Sequence, residues 1–204
     1  AALAMIRLSQ SHPGLLLVCL GPLTNLALAL RLDPTFPSRV GRLVVMGGAV
    51  TGQGNTSVSA EFNIAFDPEA AHIVFDAFPA FDLVDWEAVL RHGLPHAEVE
   101  QWLDAPGAKA AFYKAISQRT REWSEGRRGT HWHSADGLAM AAALEPEAAT
   151  AWHVHAVEVE TGGRLARGAT IVDWADRSSR PAQARILAGL QPERFRHWLR
   201  FALT

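Results

Sequence analysis

The sequence contains a single cysteine, so an internal disulfide framework is excluded. Cys19 lies in the apolar run over residues 15–20, where an unpaired thiol behaves as a small hydrophobic side chain. Small extracellular domains often depend on disulfides, whereas reducing compartments keep thiols free. The sequence therefore predicts a cytoplasmic protein that is stabilised by its hydrophobic core.

A surplus of positive charge and a long apolar run are also absent. The 19 basic and 21 acidic side chains give a formal net charge of -2, so no excess of cations is available to neutralise a nucleic-acid backbone. No apolar run approaches the ~20 residues that a bilayer-spanning helix needs, and the first residues lack the regions of a signal peptide. We therefore expect no nucleic-acid partner and no membrane association.

The composition that remains is that of an ordinary globular domain. The 204 residues are 49% hydrophobic and 20% charged, which suits one sizeable core, and we expect a single domain over residues 1–204. The first residue is Ala1, and residues 1–8 have the pattern of an amphipathic helix that begins without a capping residue. We expect from this that the chain begins in mid-fold.

Apolar runs alternate with helical segments through the first half of the chain. Three runs predict buried strands, at residues 15–20, 42–46 and 81–84. Gly21-Pro22 ends the first strand before a helix, and Asp67-Pro68 has the pattern of a helix start. This alternation predicts an α/β fold, with a mostly parallel central sheet and helices on both faces, in a Rossmann-like arrangement. Ligands of such sheets bind at the carboxyl ends of the strands, here residues 21–25, 47–63 and 85–87.

The second half predicts further helices and a pair of strands. The helices are expected at residues 97–125, 136–144 and 192–203, and the strands at 154–159 and 170–174. The first of these helices is amphipathic, and its large apolar side chains are expected to face the core. They are Trp102, Phe112, Ile116 and Trp123.

The loop after the second predicted strand carries a dense group of polar side chains. Asn55, Glu61 and Asn63 follow two glycines, Gly52 and Gly54, which permit close backbone approach. Amide and carboxylate groups together suit the hydroxyls of a sugar. Asn and Gly are also common in ordinary turns, so the residues alone leave both interpretations open.

Several segments, in order, resemble the inosine–uridine nucleoside hydrolase family. The segments are GPLTNLALA at 21–29, VMGGA at 45–49, GN at 54–55, EFNI at 61–64, DPEAA at 67–71, DGLAMA at 136–141 and RGATIVD at 167–173. They are similar to that family's GPLTN-x-ALA, MGG, GN…EFN-x-x-x-DPEAA, D-x-x-A-x-A and RG-x-T-x-x-D motifs. Each motif is short, but EFN and DPEAA together are specific, and the resemblance covers essentially the whole chain.

The resemblance implies a nucleoside hydrolase-like fold and hydrolysis of the N-glycosidic bond of ribonucleosides, as in purine and pyrimidine salvage. By position, Asn55 and Glu61 would bind the ribose 5′ hydroxyl and Asn63 the 3′ hydroxyl, while Met46 would line the sugar pocket. The reaction would pass through an oxocarbenium-like transition state, whose positive charge is favoured by positioned oxygen atoms. Met46 could equally be a core residue.

The same resemblance implies a calcium cofactor that activates the attacking water. Thr24 would contribute its main-chain carbonyl and Asp136 its carboxylate, which are oxygen ligands of the kind that calcium binds. Both residues could instead be helix caps. The family's homodimers and homotetramers make self-association an open question for this chain.

This sequence departs from the family pattern in its acidic residues. The family opens with an aspartate cluster, D-x-D-x-x-x-D-D, which supplies the general base and most of the calcium carboxylates, and this sequence has no such cluster. Thr24 and Asp136 alone are too few for the about 6–8 oxygen ligands that calcium takes. We therefore expect the amino-terminal part of the domain to be missing, with weak calcium binding and little or no hydrolysis.

The residue that would protonate the leaving base is not fixed by the resemblance. Ala135 stands where some family members have a histidine acid and others a tryptophan that stacks on the base. His131 and His133 lie close by and are candidates for the acid, because histidine titrates near neutral pH. Either could instead be a surface residue, and the preferred base is not indicated.

Three hypotheses follow. The first is a nucleoside hydrolase without its amino-terminal part, and the second is a non-catalytic relative that binds ribose or nucleosides. The third is a remnant without a stable fold. A nucleoside is the ligand expected under the first two.

Overall fold

The computed structural model describes residues 1–204, except for the side chain of Arg128. The helices, α1 to α9, are Ala2–Ser11, Thr24–Leu32, Phe62–Phe66, Pro68–Ala77, Trp86–Arg91, His96–Leu103, Ala108–Arg128, Ala135–Leu144 and Pro192–Leu203. The strands, β1 to β9, are Leu15–Cys19, Val40–Met46, Phe81–Val84, Leu94–Pro95, His131–Trp132, Ala149–His155, Val157–Val159, Thr170–Val172 and Ala184–Leu190. Short 3₁₀ turns occupy Phe36–Arg39 and Pro146–Ala148.

The central sheet has the strand order β1-β2-β3-β9-β6. Its first four strands are parallel, and β6 runs antiparallel to β9. Two smaller pairs, β4-β5 and β7-β8, lie outside it. The predicted α/β fold with a mostly parallel sheet is confirmed, and so are the three predicted strands of the first half.

Helices cover both faces of the sheet, as predicted. Along β2, Leu43 and Val45 join the core under α1, α2 and α4, whereas Val44 and Met46 join the core under α5, α8 and α9. This alternation follows from the pleat, which points successive side chains to opposite faces. In the described part of the chain, no helix is both long and apolar enough to cross a membrane.

Two strand predictions in the second half were incomplete. The strand β9 occupies the place between β3 and β6 but was not predicted, because Ala188 and Gly189 give it a weak strand pattern. The predicted strand over residues 154–159 is divided, since β6 ends at His155 and β7 begins at Val157.

The prediction for the long helical segment was wrong in two respects. The segment is broken into α6 and α7, and three of the four expected core residues are exposed, by 66%, 60% and 47% for Phe112, Ile116 and Trp123. The buried side of α7 instead carries Ser117 and Arg121. Arg121 donates to Glu100 of α6 and to the Ser117 hydroxyl, so polar pairing decides which side of this helix faces inward.

A buried carboxylate joins the strands at the amino end of the sheet. Asp82 of β3 is 3% exposed and accepts hydrogen bonds from the Nε atoms of Arg42 in β2, at 2.8 Å, and Arg185 in β9, at 2.6 Å. Arg42 also donates to the carbonyls of Ala142 and Ala143 near the end of α8, where a cation complements the helix dipole. Asp82 therefore links three strands and, through Arg42, one helix.

Replacing this carboxylate should destabilise the fold. We expect Asp82→Ala to lower the free energy of unfolding by about 2–4 kcal/mol, because it removes a buried acceptor shared by two arginines that still reach solvent. Asp76→Ala is the matched control, since its ion pair with Arg180 is half exposed and such pairs contribute at most about 1 kcal/mol. Urea denaturation of both variants measures the difference, and equal losses would contradict the assignment.

Candidate functional site

The candidate site lies at the carboxyl ends of β2 and β3. Met46 pairs with Val84 where the two strands end, and the Gly47 amide donates to the Val84 carbonyl at 3.1 Å. Gly48 has a φ of +82°, and a Cβ atom there would lie 2.7 Å from Oγ1 of Thr170. Only glycine fits this turn, which leads the chain out of β2 and towards the polar loop.

Glu61 is the central side chain of the site. It is 2% exposed, and its Oε2 atom accepts hydrogen bonds from the backbone amides of Gly48, Asn63 and Ile64 at 3.1, 2.9 and 3.3 Å. Burial raises the pKa of Glu61, although these amides and the Asn55 side chain favour its ionised form. The carboxylate therefore caps α3 and holds the Gly48 turn against it.

The two predicted amide side chains flank Glu61. The Oδ1 atom of Asn55 accepts from the Phe62 amide at 2.8 Å. The Nδ2 atom of Asn63 donates to the Met46 carbonyl at 3.1 Å and lies 3.2 Å from the Met46 sulfur. The structure thus brings together the four residues expected to contact the sugar, and it buries all of them except Asn55, which is half-buried.

Thr24 connects two of the sequence motifs. It begins α2, directly after the turn that follows β1, and its hydroxyl donates to Oδ2 of Asp67 at 2.5 Å. The other oxygen of Asp67 accepts from the Ala70 amide and caps α4. The hydroxyl of Thr24 is therefore engaged in a structural contact, which leaves its carbonyl as the group expected to bind a metal.

Asp136 lies in the first turn of α8 and lines an apolar cavity of about 470 Å³ with Tyr113 and Trp132. Although the residue keeps contact with solvent, partial burial raises the pKa of its carboxyl group. Burial and, to a smaller extent, the negative charge of Asp136 raise the pKa of the Tyr113 hydroxyl. This carboxylate therefore faces a mainly apolar space.

The two candidate histidines line a different cavity. His131 and His133 lie with Leu90, Arg91 and Gly93, and none of these residues lines the cavity of Asp136. His131 is exposed and its Nδ1 atom lies 3.0 Å from the Thr130 hydroxyl, while the His133 ring lies 6.1 Å from that of Trp86. The assignment of a leaving-group acid stays a prediction.

Thr24 and Asp136 are the two residues that the resemblance assigns to calcium. A carbonyl and a carboxylate, from Thr24 and Asp136, are suitable ligands. Within the residues that the structure describes, however, no three His, Cys, Asp or Glu side chains are grouped closely enough to hold a metal ion. Thr24 and Asp136 therefore do not complete a calcium site by themselves.

Two acidic residues lie in the predicted ligand-binding loop over residues 85–87, but the sequence indicated no role for them. Asp85 and Glu87 begin α5, directly after β3, and both are buried. The Oδ1 atom of Asp85 accepts from the Ala88 amide at 2.6 Å, whereas its buried Oδ2 atom has no hydrogen-bond partner among the described residues. Their place at the carboxyl end of a buried strand was the signal in the sequence.

The comparisons with known proteins identify the family. The model of the inosine-uridine preferring nucleoside hydrolase family matches residues 1–197. The chain belongs to this family.

Individual nucleoside hydrolases are similar over most of the chain. A probable uridine nucleosidase 1 from Oryza sativa subsp. japonica is 36% identical over 177 residues, 85% of this chain and 53% of the relative. The non-specific ribonucleoside hydrolase RihC from Salmonella paratyphi B is 35% identical over 183 residues, 90% of this chain and 58% of the relative. The chain thus spans little more than half the length of these curated relatives.

Solved nucleoside hydrolase structures share the fold. An inosine-guanosine nucleoside hydrolase superposes with a TM-score of 0.92 at 27% identity, covering 99% of this chain and 66% of that one. A purine-preferring ribonucleoside hydrolase from Gardnerella vaginalis gives a TM-score of 0.87 at 27% identity, covering 100% and 65%. The predicted nucleoside hydrolase-like fold is confirmed.

The buried Asp85 should make the stability of this chain depend on pH. Burial, assisted by the charge of Glu87, raises the pKa of Asp85 from 3.8 to about 7. The pKa of Asp85 is higher in the folded than in the unfolded chain. The contribution of Asp85 to the free energy of unfolding is therefore fully present below about pH 4 and is lost as the pH rises through 7. We expect Asp85→Asn to match the parent near pH 4 and to exceed it by about 2–4 kcal/mol at pH 8.

Chemical denaturation at both pH values tests this expectation. Asp173 is the opposite case. The backbone amides of Arg177 and Ser178 lower the pKa of Asp173 to about 2. Its contribution is present above about pH 4 and is lost as the pH falls towards 2, so Asp173→Asn should cost stability at pH 8. A gain for Asp85→Asn that is equal at pH 4 and pH 8 would contradict the titration of Asp85.

Proposed function

We propose that this chain provides the sugar pocket of a nucleoside hydrolase, which cleaves the N-glycosidic bond of a ribonucleoside to ribose and free base. The observation that carries the proposal is the buried Glu61 carboxylate between Asn55 and Asn63, at the carboxyl ends of a parallel sheet. A carboxylate and two amides supply acceptors and donors suited to ribose hydroxyls. Asn55 and Glu61 would bind the 5′ hydroxyl, Asn63 the 3′ hydroxyl, and Met46 the apolar face of the sugar.

These residues would act mainly by positioning the ribose. Departure of the base leaves positive charge on the ribosyl ring, and negative or dipolar oxygen atoms fixed beside the ring favour that charge. Burial of Glu61 and Asn63 keeps water away from their hydrogen bonds to the sugar, which strengthens them. The reaction also needs a general base for the attacking water, and none of the described carboxylates is assigned that role.

The proposal includes a calcium ion at the bottom of the pocket, with the Thr24 carbonyl and the Asp136 carboxylate as two of its ligands. Calcium, when bound, would lower the pKa of the attacking water. Since these two ligands do not complete its shell, we propose that the 204 residues alone bind Ca²⁺ weakly and hydrolyse nucleosides slowly or not at all. Joining a segment that bears an aspartate cluster ahead of Ala1 should then produce calcium-dependent ribose release.

Non-catalytic nucleoside binding is the second candidate function. It is favoured because Asn55, Glu61 and Asn63, called the sugar loop below, lie together, whereas no three His, Cys, Asp or Glu side chains of the described residues are grouped to hold a metal ion. The two functions differ in turnover once the aspartate-cluster segment is added. For the hydrolase function, the proposed setting is purine or pyrimidine salvage in the cytoplasm. Sedimentation would determine whether the chain self-associates.

Substitutions in the sugar loop should weaken nucleoside binding. Names of the relatives include uridine, inosine and purine ribonucleosides, so inosine and uridine are the probes, measured by calorimetry with Ca²⁺ present. We expect Glu61→Gln and Asn55→Ala each to lower affinity by at least about tenfold, because each removes a polar contact with the ribose. Glu69→Gln, which removes an exposed carboxylate paired with Arg167, should bind as the parent does.

Melting curves of each variant separate lost contacts from lost folding. A parent chain that is folded but binds neither nucleoside would overturn the sugar-pocket proposal. Rapid ribose release by the 204 residues alone would overturn the proposed impairment and leave the sugar pocket standing.

A further inference from the structure

The backbone after the Gly48 turn is anchored by a carboxylate from a different element. Glu87, in the first turn of α5, accepts hydrogen bonds from the amides of Val50 and Thr51 at 2.9 Å and of Gln53 at 3.3 Å. The Thr51 hydroxyl donates to it as well, at 2.9 Å. Four donors of one short loop therefore converge on one buried side chain, which is 5% exposed.

Few other side chains from outside the loop form hydrogen bonds with this segment. Thr51 and Gln53 are exposed, whereas Val50 is buried in the hydrophobic core. Among the described residues, the Trp174 indole also donates to the Val50 carbonyl, at 3.4 Å. Burial opposes ionisation of Glu87, but the amides and hydroxyl outweigh it and hold the pKa of Glu87 below its usual range. Glu87 therefore remains a carboxylate with its oxygen atoms occupied by the loop.

The anchored segment continues directly into the sugar pocket at both ends. At its start, Gly48 donates its amide to Glu61 and accepts from the Trp86 amide at 2.8 Å, so α5 also fixes the turn itself. Two residues beyond Gln53 is Asn55, whose side chain contacts the Phe62 amide. A shift of residues 50–53 would consequently move the groups expected to meet the ribose 5′ hydroxyl.

We propose that Glu87 is a positioning residue of the sugar pocket: by gathering the amides of residues 50, 51 and 53, it fixes Asn55 and the Glu61–Gly48 contact in the geometry that receives a nucleoside. This inference rests on the proposed function. Glu87 acts through the loop and makes no contact of its own with the substrate, because its acceptor capacity is used by the four donors. Glu87→Gln replaces one acceptor oxygen with an N–H₂ donor, which would face loop donors and loosen the segment.

The test compares Glu87→Gln with Glu145→Gln in the 204-residue chain. Glu145 is a suitable control because its carboxylate is also largely buried and hydrogen-bonded, to Arg194 and Trp198, but belongs to the C-cap of α8 and its contact with α9. Calorimetry measures binding of inosine and uridine, and hydrogen exchange measures protection of the amides at positions 50, 51 and 53. Thr51→Val, which removes one of the four donors at an exposed site, extends the test should Glu87→Gln fail to fold.

We expect Glu87→Gln to bind nucleoside roughly tenfold more weakly and to exchange the three loop amides faster, whereas Glu145→Gln changes neither property. Thr51→Val should show the same changes at smaller size. A role confined to stability would lower the melting temperature in both Glu→Gln variants and leave nucleoside affinity unchanged below it, which would overturn the inference.

The outcome for the parent chain separates the two proposals. If the parent binds nucleoside and Glu87→Gln binds equally well, Glu87 does not position the pocket and the sugar-pocket proposal stands. If the parent binds no nucleoside, the proposed function fails, and amide exchange alone decides the anchoring: unchanged exchange in Glu87→Gln overturns it, and faster exchange supports it.

Discussion

The site depends on the burial of one carboxylate. An ionised glutamate can lie in the interior only where donors surround it, and Glu61 finds its donors in the amides of Gly48, Asn63 and Ile64. Those amides come from the end of β2 and from the start of α3, so the requirement fixes the strand end, the glycine turn and the helix together. Asn63 is then held against the Met46 carbonyl, and the groups proposed to contact the sugar are fixed relative to one another.

Acidic side chains have different partners at the amino and carboxyl ends of the central strands, called below the amino edge and the carboxyl edge. At the amino edge, Asp82 is paired with Arg42 and Arg185, and this network joins neighbouring strands. At the carboxyl edge, Glu61 and Glu87 accept mainly from backbone amides, and arginine does not occupy them. Amide donors satisfy a carboxylate without adding a formal positive charge. The carboxyl edge thus keeps a negative character that suits hydroxyls, a cation or a developing oxocarbenium ion.

The hairpin of β7 and β8 contacts the segment that carries Glu61 and Asn63 from outside the central sheet. Ala60, immediately before Glu61, bridges to Ala169. Gly168 has a φ of +82°, and a Cβ atom there would lie 2.8 Å from the Cα atom of Ala65. The neighbouring Arg167 pairs with Glu69 at the start of α4. The RG-x-T segment and the DPEAA segment are therefore in contact through this ion pair, although about a hundred residues separate them in the sequence.

The sequence determined the features whose signals are local. Three buried strands, the cap at Asp67 and the order of the family motifs could be predicted because apolar runs, capping residues and short motifs are properties of neighbouring positions. Most residues of the sugar loop were predicted in the same way. The arrangement of Asn55 and Asn63 around the Glu61 carboxylate nevertheless required the fold.

Only the tertiary structure decided the features that join distant positions. The weak strand β9 owes its place to pairing with β3, which lies about a hundred residues earlier, and a strand pattern carries no information about its partner. The inward side of α7 follows from Arg121 and Glu100 rather than from its apolar stripe. The proposed role of Glu87 could not be predicted from the sequence either. Its four donors belong to the loop after β2, and the parallel pairing of β2 and β3 brings this loop to Glu87.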